Sequence, residues 1–386
     1  MRNRKTNSPD PLLTARAPLW QYDLVLLFSV LLLVGIGLVM VYSASSAVAL
    51  KKFQSDVYFL KKQAAYVGLG LVALVVCRSV PLTVFRAAIY PMLALSVIFL
   101  VAVHLPGMGV SAGGATRWLR LGQFSFQPSE FARFALVAYL AYSMSRKHER
   151  IRELAIGFLP HVLILSVISG LIILQPDFGS VVILGAITWL MLFVGGVRLT
   201  HLGLSVVALM PFGFFFLTGA SYRLERLTSF FDPWAHASDG GYQIVHSLMA
   251  FGTGGIWGKG IGQGYQKLFY LPEPHTDFIF SVIGEELGLI GVLAILALYL
   301  VIFVKGVRIA LRSPDRFTSY LAAGITIALC LQVGINMGVA LALLPTKGLT
   351  LPFLSYGGTS LLINMASVGL LMNVGSLTER GDGGRD

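Results

Sequence analysis

Leu24-Val-Leu-Leu-Phe-Ser-Val-Leu-Leu-Leu-Val-Gly-Ile-Gly-Leu-Val-Met-Val-Tyr-Ser43 is an apolar run without a charged side chain. It has the length, about 17 to 25 residues, that a helix needs to cross the hydrocarbon core of a bilayer. A helix satisfies its backbone hydrogen bonds internally, so such a run is at home in lipid where a loop or an open sheet edge is not. Small residues resembling a cleavage site follow in Ser43-Ala-Ser-Ser-Ala47. The run is nevertheless too long for the core of a secretory signal, and more spans follow, so it reads as an uncleaved anchor.

Runs of this kind recur along the chain. With 56% hydrophobic and 12% charged residues and a mean hydropathy of +0.77, the composition is far more apolar than that of a soluble domain. The expected fold is an all-α integral membrane protein of about ten transmembrane helices. The spans fall near 22–43, 64–80, 85–104, 127–143, 154–174, 179–196, 199–219, 278–304, 318–344 and 352–374. A basic segment, 1–21, precedes a single membrane domain, 22–374, and a short tail, 375–386, follows it. Two connections are long, about 105–127 and 220–277, the second lying between the seventh and eighth spans. Long connections in compact domains tend to carry function.

Lys and Arg in the short loops set the orientation. Placing both termini in the cytoplasm puts the basic head, Arg146-Lys147, Arg150, Arg152, the 305–316 cluster and the tail inside. Lys51, Lys52, Lys61 and Lys62 then fall on the outer face, where anionic lipid or a lipid-linked phosphate would meet them. The formal charge of +11 is therefore mostly topology, and no aromatic-interleaved basic stripe points to nucleic acid. Cys77 and Cys330 lie in separate apolar runs and read as small hydrophobes.

Several chemistries lose their support. The stretch Gly252-Thr-Gly-Gly-Ile-Trp-Gly-Lys-Gly-Ile-Gly-Gln-Gly264 lacks the spacing of a phosphate loop or a dinucleotide fingerprint, and reads instead as close backbone packing beside a short re-entrant helix. The seven histidines are scattered without metal-ligand spacing, and no nucleophile elbow is present.

What remains is a set of polar residues beside apolar runs on the outer side. Asp277, in Leu271-Pro-Glu-Pro-His-Thr-Asp-Phe-Ile-Phe280, sits where a polar loop meets a membrane run. A carboxylate losing hydration there must be paired, neutralised or used. Glu130 and Arg133 share one face of a helix opened by Pro128 and can pair. Arg117 and Arg120 flank an interfacial tryptophan, and Lys347 lies at a span end where snorkelling is its ordinary role. Asp177 reads as a turn residue, and Glu285 and Glu286 as interhelical hydrogen-bonding groups.

Taken together, the Asp277 stretch, Gly284-Glu-Glu-Leu-Gly288, Gln127-Pro-Ser-Glu130, Gln175-Pro-Asp-Phe-Gly179 and Pro352-Phe-Leu-Ser-Tyr-Gly-Gly358 resemble the shape, elongation, division and sporulation family, in order over about residues 20–375. Within it the basic head, Gly37–Ser43 and Pro345–Pro352 point to the cell-division branch more than the elongation branch. The resemblance implies a peptidoglycan glycosyltransferase of the inner membrane at the division septum. Such an enzyme polymerises lipid II, a disaccharide-peptide on undecaprenyl pyrophosphate, beside a class B penicillin-binding protein transpeptidase and other division proteins. It matches Asp277 to the family's essential carboxylate and Glu130 with Arg133 to its acidic and basic pair. Arg stands where Lys is also common, which keeps the charge and changes the geometry.

The residues and the resemblance meet in one expected mechanism: Asp277 as base on the acceptor hydroxyl, with Arg117, Arg133 and Lys347 holding the departing pyrophosphate. No cofactor is required, and a divalent cation bridging the pyrophosphate stays open, as does Glu130 as a second carboxylate. The rival from another class is a lipid II flippase, against which stands the absence of a visible inverted repeat. A noncatalytic scaffold would leave the outer acidic and basic cluster unexplained.

Overall fold

The computed structural model describes residues 23–382 apart from 113, 114, 123, 220–224, 226, 227 and 269. The basic segment 1–21, the last four residues of the tail and part of the 220–277 connection lie outside the described residues.

Each expected run falls on a helix: α1 (Leu24–Phe53), α2 (Tyr58–Ser79), α3 (Leu82–Ala102), α4 (Pro128–Arg146), α5 (Leu159–Ile173), α6 (Phe178–Val194), α7 (Leu199–Thr218), α9 (Ile279–Arg312), α10 (Arg316–Ala340) and α11 (Gly358–Asp382). A further helix, α8 (Tyr242–Gly254), lies within the long second connection. Seven of the described helices are long and apolar enough to cross a membrane, and α6 and the 199–211 part of α7 are shorter apolar helices, so the chain is a multi-pass membrane protein. Helix α4 carries Glu130, Arg133 and Arg146 and is not among the seven.

Local chemistry sets the helix boundaries. Asp23 caps α1 by accepting from the Leu26 amide, and Pro128 opens α4, where its missing N–H costs nothing. Ser313 precedes Pro314 and is extended, which ends α9; Asp315 then caps α10 through the Phe317 and Thr318 amides. The Ser43-Ala-Ser-Ser-Ala47 stretch is interior to α1, with Ser43, Ala44 and Ser45 buried.

The all-α expectation needs one amendment. The first long connection folds into a three-stranded antiparallel sheet, β1 (Gly109–Ala112), β2 (Ala115–Leu121) and β3 (Phe124–Phe126), in the order β1-β2-β3. Along β2 the side chains alternate, so Ala115 and Leu119 are buried while Arg120 is exposed. Leu119 packs on Ala102 and Val103 at the end of α3, which fastens the sheet to the bundle. Arg117 shares the face of Ala115 and Leu119, and so is directed toward the bundle where Arg120 is not.

Helix α11 is the core of the bundle: 89% of its apolar window is buried, against 17% for α9. Its buried side chains include Thr359, Ser360, Asn364, Ser367 and Asn373. Between helices in lipid, small and polar residues provide the close packing and hydrogen bonds that hydrophobicity cannot. Helix α9 is kinked at Gly288, whose φ of 64° favours glycine. The kink frees the carbonyls of Glu285 and Glu286, and the Lys259 and Gly260 amides of the glycine-rich loop satisfy them at 3.0 Å each. That loop follows α8, in agreement with the close backbone packing expected of it.

Candidate active site

Asp277 is the next-to-last residue of an irregular segment that runs into α9, and the backbone around it is strapped down. The carbonyls of three successive residues each accept a hydrogen bond from the α10 to α11 region: His275 from the Tyr356 amide at 2.8 Å, Thr276 from the Ser355 hydroxyl, and Asp277 from the Asn336 amide nitrogen at 2.9 Å. Asn336 also donates to the Leu349 carbonyl, and Gln63 of α2 to that of Ser355 at 3.1 Å. The His275 ring is wedged between Phe59 and Tyr356, with centroids 4.5 and 5.7 Å away. Burial pushes this imidazole below its ordinary range, Glu273 opposing and Lys52 adding to the fall. That disfavours its charged form and suits its role as a packing wedge.

The Asp277 carboxylate itself is left without a hydrogen-bond or ion-pair partner among the described residues. Burial pushes its carboxyl up to about 7, the Glu273 carboxylate adds to the rise, and Arg117 pulls the other way. Gly348 lies directly against it: a Cβ on that glycine would stand 3.2 Å from Oδ2, so a side chain there would crowd the carboxylate. Lys347, adjacent to that glycine, is half-buried, and burial lowers its pKa.

Arg117 donates to the backbone carbonyls of Gln175, at 3.3 Å, and Pro176. Neutral acceptors orient the guanidinium without cancelling its charge, which stays available to an anion. The turn that supplies them is fixed by Asp177, which caps α6 through the Ser180 amide and hydroxyl at 3.3 and 2.7 Å. The cap matches the turn reading of that residue.

Glu130 and Arg133 form a buried ion pair, Nη2 to Oε2 at 2.7 Å, and Arg133 also donates to Asn364 of α11 at 3.2 Å. Asn364 donates to Ser360, which accepts from Thr350 at 3.0 Å and Gln332 at 3.2 Å. A continuous chain of hydrogen bonds therefore joins the pair to the 347–350 segment beside Asp277. Arg133 spends its charge on Glu130, whereas Arg117 and Lys347 have no carboxylate partner among the described residues. Arg120, on the exposed face of β2, is not part of this grouping.

A second network gives Glu286 the interhelical hydrogen bond expected of it, with partners that sequence reasoning did not name. Lys267, 5% exposed, forms an ion pair with Glu286 of α9 and a 2.8 Å hydrogen bond with Ser43 of α1. Ser43 donates to both Glu286 oxygens, and the Gly262 amide donates to one at 3.0 Å. Glu285 accepts from the amides of Tyr265 and Gln266. Two adjacent carboxylates thus pin residues 262–267 to the membrane domain, just upstream of Asp277. The available signal was the pair itself, since two acids on an apolar helix demand partners. A cleft of about 490 Å³ opens alongside, lined by Ser238, Asp239, Tyr242, Gln243, Pro272 and Thr346. Among the described residues no group of three or more His, Cys, Asp or Glu side chains is placed to hold a metal ion.

The FtsW/RodA/SpoVE family of cell cycle proteins matches residues 24–380. A probable peptidoglycan glycosyltransferase FtsW of Trichlorobacter lovleyi is 46% identical over 92% of this chain and 93% of its own length. Among solved structures, a chain of a peptidoglycan synthase complex that coordinates polymerization and crosslinking superposes with a TM-score of 0.76 at 30% identity, covering 92% of this chain and 98% of that one. The rod shape determining protein RodA of Thermus thermophilus gives 0.69 at 28% identity, covering 93% and 98%. With its sequence matched almost end to end and its helices arranged as in these structures, this chain belongs to the FtsW/RodA/SpoVE family.

Proposed function

We propose that this protein is a peptidoglycan glycosyltransferase of septal wall synthesis that polymerises lipid II, with Asp277 as general base. The observation that carries the reading is an unpaired carboxylate, raised to about 7, held by three backbone straps beside Gly348 and the uncompensated Arg117. A base poised near neutral pH suits removal of a proton from a sugar hydroxyl.

In the proposed step Asp277 takes the proton of the acceptor's 4-hydroxyl as its oxygen bonds to the donor's anomeric carbon. The bond from that carbon to the pyrophosphate breaks, and undecaprenyl pyrophosphate leaves with the electron pair. The leaving group gathers negative charge, which Arg117 and Lys347 stabilise, while Arg133, paired with Glu130, holds Asn364 in the hydrogen-bond network that reaches Thr350. Asp277 acting as base needs no second carboxylate, which accords with direct displacement with inversion. Glu130 is already engaged by Arg133, which counts against it as the second carboxylate of a double displacement. The adjoining cleft offers hydroxyl and amide groups suited to sugar. A divalent cation, where used, would have Asp277 as its protein ligand and would supply positive charge to the departing pyrophosphate.

The same reading makes α1–α7 and α9–α11 the ten spans, with both termini cytoplasmic and Asp277 at the outer face. It is supported by Arg146, Lys147, Lys305 and Arg316, which lie at the opposite ends of their helices. The chain would work with a class B penicillin-binding protein as the transpeptidase, since neither long connection carries an acyl-transfer nucleophile motif. A partner accelerates by binding the competent state more tightly, and tenfold needs about 1.4 kcal/mol of preference.

The test is purified protein with labelled lipid II, with and without the partner, scored for glycan strands. Strands are expected with the parent, faster with the partner, and none with Asp277→Asn. Movement of lipid II across liposomes without strands would make the protein a flippase instead.

A further inference from the structure

The end of the bundle opposite Asp277 holds a separate cavity of about 290 Å³ where three helix ends meet. It is lined by Arg86 and Ala87 of α3, Tyr142, Ser145 and Arg146 of α4, and Phe317 of α10. Its chemistry is cationic and aromatic. Arg86 lies over the Phe317 ring, 4.5 Å from the centroid, and donates to Asp315 through Nη2 at 2.8 Å, while its Nε is buried without a partner. Arg146 lies 5.7 Å from the centroid of the Tyr142 ring and donates to the hydroxyl of that residue at 2.9 Å. It has no carboxylate partner among the described residues, so Asp315 balances one of the two guanidinium groups and leaves the other uncompensated. Lys147 and Arg316 adjoin in the chain and add to the positive field.

Tyr90, beside the cavity-lining Tyr142, brings a lipid-type surface next to the cavity. Tyr90 stands one helical turn beyond Arg86, is 55% exposed, and places its ring 5.8 Å from that of Tyr142. Val84 is exposed on the same helix, and only 28% of the apolar window of α3 is buried. A charged recess that opens onto an apolar flank fits an amphiphile. Guanidinium groups match phosphate oxygens in geometry, and basic recesses between helix ends are suited to anionic headgroups. The volume admits a headgroup but not acyl chains as well.

We propose that this cavity binds the phosphodiester headgroup of an anionic phospholipid, with the acyl chains laid along α3 beside Tyr90. The bound lipid braces the ends of α4 and α10, the two helices that carry Arg133 and Asn336 toward their other ends. The site does not depend on the glycosyltransferase reading, because it shares no residue with it.

The experiment is native mass spectrometry of the full chain in neutral detergent, titrated with phosphatidylglycerol, phosphatidylcholine or inorganic phosphate. Phosphatidylglycerol is expected to be retained in preference to phosphatidylcholine, and excess inorganic phosphate not to displace it. Arg146→Gln, at an exposed position, is expected to weaken retention about tenfold, in line with loss of a charge-assisted contact. Arg86→Gln combined with Asp315→Asn removes the other cation together with its counter-charge and should do the same without leaving Asp315 unpaired. Equal retention of the two lipids, or unchanged retention in both variants, would overturn the proposal. Full displacement by inorganic phosphate would also overturn it, in favour of a free-phosphate site.

Discussion

Replacing Lys267 by Met tests whether the buried network upstream of Asp277 positions the catalytic segment. The change removes the cation while keeping an unbranched side chain, and leaves Glu286, whose side chain is wholly buried, with an uncompensated charge. Removing one partner of a buried pair costs about 3–5 kcal/mol. Glu286 would keep the Ser43 hydroxyl and the Gly262 amide, so the lower end of that range applies. About 3 kcal/mol shifts the equilibrium between pinned and released loop roughly a hundredfold, at tenfold per 1.4 kcal/mol. The expected result is protease sensitivity in 255–271 and a fall in kcat larger than the change in KM. A second variant, Lys267→Met with Glu286→Met, removes both charges and should recover part of the loss. Melting temperature, limited proteolysis and lipid II polymerisation would be measured on both variants and on Glu286→Met alone. Strictly additive effects in that cycle, or a Lys267→Met protein as stable and active as the parent, would refute the reasoning.

Asp277 should give kcat/KM a rising limb centred near pH 7, because the raised carboxyl is protonated and inactive as a base below that pH. Asp277→Asn should abolish polymerisation and raise the melting temperature above neutral pH, where the parent holds an unpaired carboxylate; an active Asn variant would remove this residue from the mechanism. Glu130→Ala and Arg133→Ala should each cost about 3–5 kcal/mol, with partial recovery on charge reversal of both, measured by thermal or denaturant unfolding. In a chain whose Cys77 and Cys330 have been replaced, a membrane-impermeant thiol reagent on spheroplasts should label a cysteine at Ser238 but not one at Glu149. The opposite pattern would invert the topology.

Much of the fold was legible because lipid leaves the backbone few choices. Apolar runs such as 24–43 and 278–304 could only be helices, and Pro128 marked a helix start and Asp177 a turn by local chemistry that needs no tertiary information. Asp277 stood out for the same reason, as an acid at the border of hydrocarbon. The Glu130–Arg133 pair was legible because helical spacing brings i and i+3 together.

The small sheet was not legible, because its short strands had to compete with the interfacial reading of Trp118 and its neighbours. Only the alternation along β2, read against the end of α3, separates Arg117 from Arg120. The partners of Glu285 and Glu286 were out of reach, because Ser43 lies on α1 and Lys267 on a glycine loop whose path depends on the Gly288 kink. The sequence by itself determined a polytopic helical membrane protein with one conspicuous carboxylate, since hydrophobicity, helical period and capping are local properties. The tertiary structure alone decided that this carboxylate is strapped from α10 and the 350s, faces Gly348 and is left unpaired, because those contacts join residues far apart in the chain whose meeting no local rule encodes.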